Sequence, residues 1–195
     1  CVTETGKPVK VFTDAEMVGS VQWTKDTVVE LSGFVYVEDG EVLNIGPGTI
    51  IKGQPGQGAA ATAFIVARGG KIFANGTKEC PIVFTATADD VDNPNDFAVS
   101  ADGRGLWGSV IILGKATVRT ATGVAQIEGI PVTEPRGEYG GAGAPDDNDN
   151  SGVFRYVSLR HGGSIIGAAN AINGLTMGGV GRGTKIEYVE AYQNL

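Results

Sequence analysis

Apolar residues along this chain fall in short runs of three to seven positions, and almost nowhere at the three-to-four-residue spacing of a helix. The runs are rich in Val, Ile, Phe and Tyr and predict strands at 27–31, 34–37, 42–45, 49–52, 63–67, 71–74, 82–85, 109–113, 116–119, 154–159, 175–177 and 186–191. The one helix-start signal is Thr13-Asp14-Ala15-Glu16, which has capping-box spacing; Gly19 limits it to about one turn. Between the runs stand turn dipeptides, among them Asp39-Gly40, Pro47-Gly48, Gly69-Gly70, Asn75-Gly76 and Gly162-Gly163.

Such turns suit hairpins and solenoids alike, and repetition separates the two. Phe154-Arg155-Tyr156-Val157-Ser158-Leu159 matches Ile186-Glu187-Tyr188-Val189-Glu190-Ala191 at an offset of 32, counted from 154 to 186, each copy following a glycine. Stacked coils would set Arg155 beside Glu187, a lateral pair contributing a few tenths of a kcal/mol at most if exposed. The expected fold is therefore all-β: a right-handed parallel β-helix over 29–195, preceded by an irregular N-terminal segment or cap at 1–28. Leu43, Ile45, Ile50, Ile65, Ile72, Val83, Ile111, Val157, Leu175 and Val189 are the expected core. Two polar segments, 89–102 and 135–151, are expected to leave the stack as loop insertions.

The chain's 195 residues suffice for one substantial domain. Glycine, at 31 residues, is the compositional outlier and agrees with many corners between many strands. A formal charge of −7 disfavours nucleic acid or an anionic membrane as partner, since both need a cationic face. No apolar run approaches the roughly 18 residues of a membrane helix. Cys1 and Cys80, the two cysteines, admit two mutually exclusive readings. One is a disulfide tying the N-terminal segment to the domain. The other makes Cys1 the lipid-bearing first residue of a mature bacterial lipoprotein.

Several phrases are more specific. They include Leu43-Asn44-Ile45-Gly46-Pro47-Gly48-Thr49-Ile50-Ile51-Lys52-Gly53, Gly105-Leu106-Trp107-Gly108-Ser109-Val110-Ile111-Ile112-Leu113-Gly114 and Tyr156-Val157-Ser158-Leu159-Arg160-His161-Gly162-Gly163. With Ile172-Asn173-Gly174-Leu175-Thr176-Met177-Gly178-Gly179, they resemble exported parallel β-helix proteins of the Bacteroidetes and related marine bacteria. Many of those are lipoproteins or substrates of the type IX secretion route. The resemblance covers about 29–195 and implies an extracellular or outer-surface location, with no catalytic residues to carry over. Its members run on through further coils, whereas this sequence stops just after a strand. That implies a piece of a longer β-helix, or a last coil covered by a neighbour.

Candidate chemistry is sparse. Calcium takes six to eight oxygen ligands in flexible geometry, so Asp146, Asp147 and Asp149 are the first candidate ligands, and Asp90, Asp92 and Asp96 the second. Neither group has EF-hand spacing. Arg160 and His161 are the candidates for proton transfer, set against the plainer reading that they hydrogen-bond a coil corner. Glu128, Glu134 and Glu138 offer carboxylates for glycoside hydrolysis, with no pair fixed across a cleft. Trp107 reads as a corner filler before a sugar-stacking ring, and Asn75 as a turn before a glycosylation site. The expected function is a non-enzymatic structural, adhesive or self-assembling surface element, whose partners are copies of itself or surface polysaccharide. The alternative is a polysaccharide-binding or lyase-like β-helix protein.

Overall fold

Parallel ladders carry most of the backbone hydrogen bonding between strands. A computed structural model describes residues 1–96, 103–167 and 170–195. Its strands stack in three faces, each coil contributing one strand to a face. The first face holds β1 (Val9–Phe12), β3 (Val28–Leu31), β6 (Ile50–Gly53) and β9 (Ile82–Ala86), followed by the C-terminal halves of β13 (Gly152–Arg160) and β17 (Lys185–Tyr192). The second holds β4 (Phe34–Val37), β7 (Ala63–Val66), β10 (Val110–Leu113) and β16 (Leu175–Gly178). The third holds β2 (Ser20–Trp23), β5 (Val42–Ile45) and β8 (Lys71–Asn75), then the N-terminal halves of β13 and β17. All of these pairings are parallel. The antiparallel pairs among the described residues are two small ribbons, β11 (Ala125–Gln126) with β12 (Glu138–Tyr139) and β14 (Ile165–Gly167) with β15 (Asn170–Ala171).

Because β13 and β17 each cross from the third face to the first, the two faces form one curled sheet. The bend sits on Tyr156 and Tyr188, whose φ angles of 47° and 54° lie in the left-handed region. Their rings stack at 4.5 Å, 6° from parallel, and Arg155 pairs with Glu187 at 3.4 Å beside them. The 32-residue recurrence is thus a register: Phe154 opposes Ile186 and Val157 opposes Val189. One coil below, Asn75 opposes Arg155 and Ile82 opposes Val157, so residues 76–81 span the corner that Tyr156 turns alone. That outward loop carries Cys80.

Strand alternation sends every second side chain inward. Phe12, Trp23, Phe64, Phe84, Trp107 and Phe154 form a chain of ring contacts through the interior, with centroids 5.1–6.5 Å apart. A second apolar cluster lies outside the second face. There Tyr36, Ile65, Ile111 and Leu113 are covered by Ile127 and Ile130 from the β11–β12 ribbon and by Ile172.

Four expectations are corrected. Residues 116–119 form no strand: the Ala116 N–H donates to the Gly179 carbonyl and the Thr117 N–H to the Asp147 carboxylate, which takes the segment out of any ladder. The N-terminal stretch is more regular than expected, since β1 and β2 are ladder members ahead of residue 29. Ile50 and Val83 are buried, yet they alternate with the inward Ile51 and Phe84 and so face outward beneath residues 1–7. Leu175 and Val189 pack against the core but are only half-buried, since among the described residues no further coil stacks on theirs. The other expected core residues are buried.

Candidate functional site

Two separate nominations from the sequence meet in one place. The loop after β9 folds back against the corner after β13, so that Asp89, Asp90, Asn93, Asp96, Arg160, His161 and Tyr192 line a cavity of about 160 Å³. His161 takes a left-handed φ of 58° to turn the corner, and its ring is 2% exposed. The Nδ1 lies 2.5 Å from the Gly103 carbonyl oxygen, so it carries the proton and donates. The Nε2 faces the buried Asp89 carboxylate at 3.8 Å, beyond hydrogen-bond reach. Asp89 in turn accepts from the Thr85 hydroxyl at 2.5 Å, and its carbonyl from Lys52 Nζ at 2.6 Å. Arg160 donates from Nε to the Ser158 hydroxyl at 2.9 Å, which itself donates to Glu190.

These contacts favour the plainer reading of Arg160 and His161 as corner residues. A ligand-sized pocket is usually about 300 Å³ or more, roughly twice this cavity. Trp107 is fully buried, stacked with Phe84 at 4°, and donates from Nε1 to the Arg160 carbonyl at 2.9 Å. Gly53, on the inward row, leaves room for its indole; a β-carbon there would stand 2.4 Å from the ring.

The acidic residues serve loop ties. Asp92 accepts from the hydroxyl of Thr3 at 2.9 Å and from both the N–H and hydroxyl of Thr5 at 2.8 and 2.6 Å. Those hydroxyl bonds, Thr5 before Thr3, hold its carboxyl down at about 2. Asp90 accepts from the Asp92 N–H, and Asp96 from the Asp90 N–H. In the other loop Asp146 accepts from the Asn148 N–H, Asp147 from the Thr117 N–H and Asp149 from the Lys115 N–H. The Thr117 bonds, then Arg182 nearby, hold the Asp147 carboxyl below the usual carboxylate range. Among the described residues no group of three or more His, Cys, Asp or Glu is arranged to hold a metal ion. Asp102, part of the first polar segment, lies outside the described residues.

Glu134 and Glu138 are held by arginines, Glu134 by Arg136 through both carboxylate oxygens and Glu138 by Arg68. Arg136 also reaches Asp14 at 2.7 Å and Glu38 at 2.9 Å and lies 3.9 Å over the Tyr36 ring. No sequence signal singled out Arg136, because its partners lie 98 and 122 positions away along the chain.

Cys1 and Cys80 are joined by a disulfide. With the ion pair of Lys52 and Glu4 and the Asp92 contacts, it pins residues 1–7 across the outer side of the first face. A thioether lipid on Cys1 would need the sulfur that this bond uses. Among the described residues no helix is long and apolar enough to cross a membrane.

The two ends of the stack differ. At the β1 end, Phe12, Met17 and Trp23 are buried and fill the interior, while Lys10 occupies the inward row and is exposed. At the β17 end, the same inward row ends on Ala191, opposite Leu159 and exposed. The eight residues of β17 have β13 as ladder partner on one side only, and Tyr188 is 63% exposed.

A family model described as a pectate-lyase-like β-helix domain matches residues 15–195. No curated protein and no solved structure matches the chain.

Proposed function

Since this chain belongs to the pectate-lyase-like β-helix domain family, we propose that it is an exported, non-enzymatic β-helix whose work is done by its surfaces, the edge of β17 among them. The observation that carries this reading is the β17 edge: among the described residues its eight positions are laddered with β13 on one side alone, and Ala191 on the interior row is exposed. An edge of that length is a template for a further strand. The opposite end has a charged Lys10 on the inward row, a device that discourages pairing. Within these 195 residues a bare β17 edge and a charged β1 row favour isologous pairing of two β17 edges, hence a twofold dimer of this chain.

The remaining parts of the reading agree. Parallel strands of one sheet joined by crossovers are right-handed in nearly all known cases, which supports a right-handed coil. A disulfide suits an oxidising compartment, which with the likeness to exported proteins supports an extracellular or outer-surface location. Arg160 and His161 engaged in corner contacts support a structural role over a catalytic one.

Light scattering on the 195-residue chain tests the reading. The expected result is a concentration-dependent species of twice the 20.1 kDa monomer. Ala191→Lys, which copies at this end the charge present at the other, is expected to give monomer while leaving the fold intact. A monomer at every concentration counts against the reading. So does cleavage of any acidic or neutral polysaccharide that Arg160→Ala abolishes.

A further inference from the structure

The largest cavity described so far is too small for a ligand, but a second one outside the second face is not. It measures about 330 Å³ and lies between the first two coils and the chain that follows the β11 strand. Phe34 and Tyr36 form one wall, Ala59 another, and Ile130 and Pro131 a third, with Glu134 and Arg136 at the rim. Its volume falls within the range of small-molecule sites, which are mostly apolar with a few polar groups.

The polar group here is Tyr36. Its side chain is 2% exposed and its hydroxyl is buried with no hydrogen-bond partner. Buried hydroxyls are nearly always bonded, and one left alone destabilises the free protein. Burial, with Glu134 adding and Arg136 opposing, holds this hydroxyl above the usual tyrosine range, so it is a proton donor at neutral pH. The rim has a surplus of negative charge: one guanidinium faces the carboxylates of Glu134, Asp14 and Glu38. An anion is therefore disfavoured.

We propose that this cavity is a binding site for a small uncharged ring compound bearing one carbonyl oxygen, which the Tyr36 hydroxyl donates to. The ring occupies the apolar space between Phe34, Ile130 and Pro131. The hydroxyl has no accessible surface of its own, so binding requires the rim at Arg136, which lies 3.9 Å over the Tyr36 ring, to move aside. The site is independent of the dimer, because none of its residues lies on β17.

The probes are benzamide and benzoate, followed by ligand-observed NMR and titration on the wild-type chain. Benzamide is expected to bind at millimolar concentration or better and benzoate at least tenfold more weakly. Tyr36→Phe is expected to weaken benzamide about tenfold while leaving the melting temperature unchanged or raised, as an unpartnered hydroxyl has been removed. Ala59→Trp, at an exposed wall position, is expected to fill the cavity and abolish binding without loss of fold. No binding of benzamide, equal binding of benzoate, or undiminished binding to either variant overturns the proposal. A lowered melting temperature for Tyr36→Phe also does, since it would reveal an existing partner for the hydroxyl.

Discussion

Asp92 illustrates how much of a local structure one carboxylate can organise. It gathers the Thr3 hydroxyl, the Glu4 N–H and both the N–H and hydroxyl of Thr5, residues that lie 87 to 89 positions earlier. With its folded pKa at about 2, below the unfolded value near 3.8, the folded state holds fewer protons between those values. Its contribution to stability is present above about pH 4 and lost as the pH falls through 2. Asp92→Asn should therefore melt lower than wild type at pH 6, and the two melting temperatures should converge near pH 2. A gap that persists at pH 2 would show that the carboxylate charge is not what holds the N-terminal arm. The sequence offers Asp92 as a second-choice calcium ligand, because the density of carboxylates is visible in it and the Thr3, Glu4 and Thr5 partners are not. Trp107 was easier: the strand that follows it directly already argued for a buried ring.

Among elements, the strands were legible because each coil repeats the same short alternation between glycine corners. The Phe154 and Ile186 runs gave even the register, since equal side chains stack on themselves in a parallel ladder. The run at 116–119 misled for a physical reason. Its β-branched residues fit a strand, but its donors are taken by Gly179 and Asp147, groups supplied from distant loops. The β11–β12 ribbon was missed likewise, being two residues on each side and held by side chains. Arg136 is the chief fastening, tied to Glu134, Asp14 and Glu38 and lying over Tyr36. Its side chain is about a quarter exposed, so solvent screening reduces its worth. Arg136→Ala is expected to cost about 1–2 kcal/mol. Limited proteolysis should then cut within 114–151 before the rest of the chain. Unchanged protection there would mean that Ile127 and Ile130 hold the ribbon without help.

At the scale of the whole molecule the outermost strands of these 195 residues differ. Beside β1 the interior is filled by Phe12, Met17 and Trp23, with Lys10 on the inward row; β17 has β13 on one side among the described residues. The sequence showed that a strand lay near position 191, but only stacked coils show which row Ala191 and Lys10 share. The most direct test of the account is amide hydrogen exchange across Lys185–Tyr192 at low and high protein concentration. The proposed pairing of two β17 edges predicts that the β17 amides not bonded to β13 slow markedly as concentration rises, while β1 amides do not change. In Ala191→Lys the β17 amides should stay fast at both concentrations. Exchange of β17 that is independent of concentration in the wild-type chain would contradict the account.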